Sequence, residues 1–208
     1  MNHVALLGDS IFDNGVYVAP APAVSEQLRA SLGSDWTVSL VAVDGHVTKD
    51  VGDRQVGRVP KGASHIVVSV GGNDALGHAS ILNEGARSVA EVVSRLAEAQ
   101  ARFARRYEEM VDTVLALKIP TAVCTIYDTN YPEPQRRLVV SALSMFNDVI
   151  TRVAFARGLN VIDLRLICDE PADYANPIEP SSRGGEKIAR AIAELVRSPP
   201  AERSSVWT

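Results

Sequence analysis

The sequence is poor in the residues that build metal, redox and nucleic-acid sites. Its 208 residues include two cysteines and four histidines, and aromatic side chains make up 5%. Cys124 and Cys168 have no zinc or redox spacing. Cys124 lies in the apolar run from Thr121 to Ile126, where a free thiol reads as a small buried hydrophobe. His3, His46, His65 and His78 are scattered through the first half of the chain and form no His-Glu-x-x-His pattern, so no metal is expected. Positive charge is in deficit, with 21 Lys and Arg against 25 Asp and Glu for a net −4. That balance provides no field for a phosphate backbone, and nucleic acid is not an expected partner. No apolar run approaches the roughly 20 residues that cross a bilayer, and Met1-Asn2-His3 leads into a strand pattern rather than a secretory signal. The expectation is a cytoplasmic chain with no membrane partner. Neither Gly-x-Gly-x-x-Gly nor Gly-x-x-x-x-Gly-Lys-Ser/Thr occurs, so no nucleotide or flavin cofactor is expected.

What is present is strand and helix in alternation. Val4-Ala5-Leu6-Leu7 is a short apolar run closed by Gly8-Asp9-Ser10, and the segment from Val24 to Leu32 reads as a helix after Pro20-Ala21-Pro22. Further strands are read over Trp36 to Val43, His65 to Val70, Pro120 to Ile126 and Leu159 to Leu164. Apolar spacings of three and four predict a long helical region from about Ala86 to Leu117, as one helix or two with a bend. A helix is also read over Gln135 to Arg157, with Gly158 after it. A last one starts near Ser181 or Ser182, where serine suits an N-cap, and Pro199-Pro200 ends it. Five apolar strands separated by helices imply an α/β protein with a parallel sheet covered on both faces. One domain over residues 1–198 is expected, followed by a frayed polar tail at 199–208.

Ligands of such sheets bind beyond the carboxyl ends of the strands. Here those ends carry Asp9-Ser10, Asp44-Gly45, Gly72-Asn73 and Tyr127-Asp128. Ser10 offers a hydroxyl, which needs a base to act as a nucleophile. Gly45 offers an unobstructed backbone N–H and Asn73 a side-chain amide, and an oxyanion needs such donors. Taken singly, each has a plainer reading: Ser10 as a cap or turn residue, Asn73 as an Asx-turn residue, and Gly45 as a left-handed turn position.

Taken in this order, Gly8-Asp9-Ser10, Gly45 and Gly71-Gly72-Asn73-Asp74 resemble the blocks of the GDSL, or SGNH, hydrolase superfamily. The resemblance runs over nearly the whole chain. It implies a flavodoxin-like three-layer α/β/α fold with strand order 2-1-3-4-5. It also implies an oxyanion hole built from the Ser10 N–H, the Gly45 N–H and the Asn73 side chain.

The family's last block, Asp-x-x-His, supplies the base and its orienting carboxylate. The matching stretch here is Asn176-Pro177-Ile178-Glu179, with Glu179 at the histidine position and Asn176 at the aspartate position. Three readings follow. Glu179 is the base, its pKa raised by burial; or His46, oriented by Glu179, or His78 fills the gap; or hydrolysis is lost and the fold binds a small acyl or carboxylate ligand. The expected function is hydrolysis of small acyl esters through an acyl-enzyme on Ser10. Asp9, Asn14, His46 and Tyr127 are candidate substrate-binding residues, with Asp13 and Asp128 near the pocket rim. Asp173 reads as a solvated loop charge, and Gly184-Gly185 as close packing of the last helix on the Ser10 loop or room for a nearby anion. No cofactor is expected, and the sequence sets no oligomeric state.

Overall fold

The structure is a computed structural model that describes residues 2–199 and 203–208. Strands β1 (Asn2–Gly8), β2 (Trp36–Leu40), β3 (His65–Ser69), β4 (Thr121–Cys124) and β5 (Asn160–Ile162) lie parallel in the order β2-β1-β3-β4-β5. The sheet has six strands rather than five. Beyond a small hairpin of β6 (Tyr174–Asn176) and β7 (Glu179–Pro180), the segment β8 (Val206–Trp207) pairs in parallel with β5. The tail expected to fray therefore contributes a strand: its Ser205 and Trp207 carbonyls accept from the Val161 and Asp163 amides at 2.9 and 2.8 Å. Residues 200–202 of that tail lie outside the described residues.

The four long helices are α1 (Val24–Leu32), α2 (Val89–Leu115), α3 (Gln135–Ala156) and α4 (Ser182–Arg197). In β1, Val4, Ala5, Leu6 and Leu7 are all fully buried. Val4 and Leu6 face the layer of α1 and α4 through Val24, Leu28, Ile188 and Ile192. Ala5 and Leu7 face the layer of α2 and α3 through Tyr107, Met110, Ile150 and Val153. Alternation along one strand thus serves two cores, each buried Leu contributing about 2 kcal/mol. The α2 region is one continuous helix, started by Ser88, whose Oγ accepts from the Glu91 amide at 3.1 Å. Helix α3 is apolar enough, at a mean hydropathy of 1.5, to match a membrane span by length and composition. This corrects the expectation that no such stretch exists; its Val149, Ile150 and Val153 pack into the core.

The last helix begins as read, with Ser181 Oγ accepting from the Gly184 amide at 3.2 Å. Its glycines pack elsewhere than expected. A Cβ on Gly184 would strike the Asp173 carbonyl, and one on Gly185 would crowd Val24 and Gln27 of α1, not the Ser10 turn. Because β2 and β3 flank β1 on opposite sides, the chain's strand order reverses at β1. The crevice beyond its carboxyl end is where a ligand is expected.

Candidate active site

The turn after β1 starts at Gly8, which has φ 134° and lies so close to the Ser69 carbonyl of β3 that a Cβ would collide with it. Only glycine fits there. The chain then folds back on Asp9, whose carbonyl accepts from the Phe12 and Asp13 amides at 3.2 and 3.1 Å. Ser10 stands at the turn, 7% exposed, and its Oγ donates to Glu179 Oε1 at 3.1 Å. The Ser10 and Gly45 amides have no hydrogen-bond partner among the described residues.

Glu179 arrives on β7, and the loop before it is fastened at several points. Ile178 donates its amide to Asn176 Oδ1 at 2.9 Å, the Pro177 carbonyl accepts from the Asn130 amide at 2.8 Å, and the Ile178 carbonyl accepts from the Tyr127 hydroxyl at 2.5 Å. Asn176, the last residue of β6, therefore uses its side chain to close the turn that follows. Glu179 is 6% exposed, and its Oε2 has no partner among the described residues. Burial pushes its pKa up to about 7 against the opposing hydrogen bond from Ser10, with a smaller upward push from the charge of Asp44. Asp9 is 3% exposed and is pushed up to about 8, first by burial. The Ile11 amide, donating to Asp9 Oδ1 at 3.2 Å, opposes this, and the charges of Glu179, Asp74 and Asp44 add to it. At neutral pH Asp9 is mostly protonated.

Gly45 sits at φ 79° in the turn closed by His46 N–H donating to the Val43 carbonyl at 3.1 Å. Asn73, in the short helix Gly72–Leu76, donates its Nδ2 to the His46 carbonyl at 3.0 Å. Beside it, buried Asp74 accepts from the Thr48 amide and hydroxyl at 2.8 and 2.9 Å. The second and third strand ends are thus tied together.

A cavity of about 550 Å³ opens at these strand ends, lined by Asp9, Ser10, Asn73, Tyr127 and Glu179 on one side. Its other walls are apolar, with Leu82, Leu96, Ile126, Val139, Leu143 and Phe146 prominent. Gly45 and His46 are not among its lining residues.

Several sequence expectations need correcting. His46 does not face Ser10 or Glu179; its Nδ1 accepts from Gln55 Nε2 at 2.9 Å. His78 lies on the cavity wall against Phe146, with ring centroids 6.4 Å apart, and makes no hydrogen bond to Ser10. Burial first, then Arg102 and Arg106, lowers its pKa. Neither histidine hydrogen-bonds Ser10 or Glu179. Asn14 is fully buried and its Oδ1 accepts from the Val24 amide at 3.0 Å, which anchors α1 rather than a substrate. Tyr127 lines the cavity, but its hydroxyl is committed to the Glu179 loop. Asp173 is fully buried, not solvated, with Lys187 Nζ 2.7 Å from its Oδ2. Asp13 accepts from the Asp44 amide at 3.0 Å, and the Asp128 carbonyl accepts from the Tyr174 hydroxyl at 2.5 Å. Gln55 and Thr48 were not legible as site residues; no motif marks them. Among the described residues no group of three or more His, Cys, Asp and Glu side chains could hold a metal ion.

A parallel sheet in this order, sandwiched between helical layers with its pocket beyond β1 and β3, is the fold of the SGNH hydrolases. Residues 6–187 match the GDSL-like Lipase/Acylhydrolase family, and the chain belongs to that family. Comparison with curated protein sequences gave no match. Among solved structures, phospholipase A1 from Streptomyces albidoflavus NA297 is similar at TM-score 0.67 and 20% identity, over 95% of this chain and 99% of that one. The aryl esterase of M. smegmatis is similar at TM-score 0.66 and 14% identity, over 95% and 99%. A lipase from a goat rumen metagenome is similar at TM-score 0.69 and 21% identity, over 91% and 94%. At these identities the likeness is one of fold.

Proposed function

We propose that the protein is a serine esterase in which Ser10 attacks the acyl carbon and Glu179 takes the serine's proton in place of a histidine. The observation that carries this is the hydrogen bond from Ser10 Oγ to the buried Glu179 carboxylate. A carboxyl pushed up to about 7 is as basic as an ordinary imidazole, at about 6.5, so burial supplies what the residue type lacks.

In the first half-reaction the Ser10 proton passes to Glu179 Oε1 as Oγ bonds to the acyl carbon. The carbonyl oxygen, now anionic, meets the unbonded Ser10 amide and the second hydrogen of Asn73 Nδ2, both residues lining the cavity. Glu179 returns the proton to the leaving alkoxide as the ester C–O bond breaks, leaving an acyl-enzyme and an alcohol. Water then gives a proton to Glu179 and its oxygen to the acyl carbon, and Ser10 recovers its proton as the acid departs. The apolar cavity suits the acyl chain of such a substrate, which favours chains longer than the small acyl groups expected from sequence.

The test is turnover of p-nitrophenyl esters of increasing chain length by wild type, Ser10→Ala and Glu179→Gln. The expected result is turnover in wild type and loss in both variants. Turnover that survives Glu179→Gln would overturn the assignment of the base. No turnover, with no labelling of Ser10 by a fluorophosphonate, would leave binding of an acyl or carboxylate ligand as the function.

A further inference from the structure

Gln55 ends a π-helical turn, Val51–Gln55, and its side chain is completely buried. A buried amide is costly unless each of its groups is bonded, and here each is. Oε1 accepts from the Gly8 amide at 2.8 Å, and Nε2 donates to the Gly8 carbonyl at 2.7 Å and to His46 Nδ1 at 2.9 Å.

Those partners are not incidental. The β2 strand ends at Leu40, in register with Leu6, and the chain running on from it reaches Gly8 with one bond only, the Val43 amide donating to the Gly8 carbonyl at 3.2 Å, which leaves the Gly8 amide without a backbone acceptor on that side. The Gln55 amide supplies the missing acceptor for the Gly8 N–H and a second donor to its carbonyl beside that of Val43, at the position two before Ser10. Its remaining hydrogen fixes His46, and the His46 carbonyl in turn holds Asn73 Nδ2. One side chain therefore connects the Ser10 turn, the Gly45–His46 turn and Asn73.

We infer that Gln55 is a positioning residue that sets the Ser10 amide and the Asn73 side chain, the oxyanion donors on the cavity wall, against one another through Gly8 and His46. This rests on the esterase reading above. The donors matter most when the oxyanion forms, so their misplacement lowers kcat and leaves KM nearly untouched. The bond to Nδ1 also requires a neutral His46 protonated at Nε2.

The experiment compares wild type, Gln55→Met, His46→Leu and the double variant on a p-nitrophenyl ester, with 15N NMR of the His46 ring. Gln55→Met is expected to lower kcat on the order of 100-fold with KM within about twofold, since binding is not its role. The double variant is expected to cost no more in kcat than Gln55→Met alone, because the two act in one chain. Gln55→Glu, which keeps the acceptor for Gly8 and removes both donors, serves if the methionine variant fails to fold, and the same direction is expected. Unchanged kcat, or additive losses, would overturn the inference. The NMR arm needs no turnover: the wild-type ring is expected as the Nε2–H tautomer alone, and a mixed tautomer in wild type would refute the contact. A dead wild type with that tautomer present would instead count against the esterase reading.

Discussion

Tyr127 holds Glu179 by its neighbour: the phenol of Tyr127 donates to the carbonyl of Ile178 at 2.5 Å, one residue before the carboxylate. The ring is buried at the end of β4, edge-on to Tyr174 with centroids 5.4 Å apart. The segment that leaves β4 through Tyr127 therefore fixes where the carboxylate stands. Tyr127→Phe removes one hydrogen bond and leaves the half-buried Ile178 carbonyl unpaired. It is expected to lower stability by about 1–3 kcal/mol, read by denaturant unfolding, and to reduce kcat about tenfold with little change in KM, as loss of positioning does.

Activity is expected to rise with pH through about 7, because the base must be ionised and burial holds Glu179 there. The kcat/KM profile of the free enzyme reads this directly. An acid limb centred near 4.5, the ordinary value, would contradict the role of burial.

Stability is expected to run the other way. Burial raises Asp9 from 3.8 to about 8, so the folded state holds a proton that the unfolded chain releases. A raised acid gives full stability below its unfolded value and loses it as pH climbs to the folded one. Thermal unfolding midpoints are therefore expected to fall between about pH 5 and about pH 8, a window above that of Asp112 and Asp163, whose pKa values are lowered. Asp9→Asn is expected to flatten the slope.

Asn176 and Glu179 face each other across the β6–β7 hairpin. Substituting Asn176→Asp with Glu179→His places an acid beside an imidazole at those positions. This pair is expected to restore turnover that Glu179→Gln abolishes, whereas Glu179→His alone, with no acid to orient the ring, is expected to restore less.

Chain-length preference is expected to follow the apolar wall. Each methylene buried adds about 0.8 kcal/mol, or roughly fourfold, to kcat/KM until the cavity is full. Ala142, on the α3 wall of the cavity, is a site to block it. Ala142→Trp is expected to spare acetyl esters and remove the gain for longer ones, measured across a p-nitrophenyl series.

The parts of this molecule that could be read from sequence are those that obey short-range rules. Val4 to Leu7 announces a strand covered on both faces because every position is apolar, and Ser181 marks the start of α4 because a cap is local chemistry. Ser10 and Glu179 were legible through block order, although they lie 169 positions apart. Gln55 was not, because its partner Gly8 is 47 residues away and no pattern in Asp53-Arg54-Gln55 reveals that the Gly8 amide lacks a backbone acceptor. Asp173 was misread because its partner Lys187 is a helix turn into α4, and loop carboxylates are usually wet. The strand Val206–Trp207 was missed because two residues carry no periodicity.

That short strand has a consequence for how molecules of this kind meet one another. The outer amides of β5 are already engaged by the Ser205 and Trp207 carbonyls. The sheet's margin on that side is therefore the two-residue β8 instead of β5, and so short an edge offers a neighbouring chain few backbone groups to pair with.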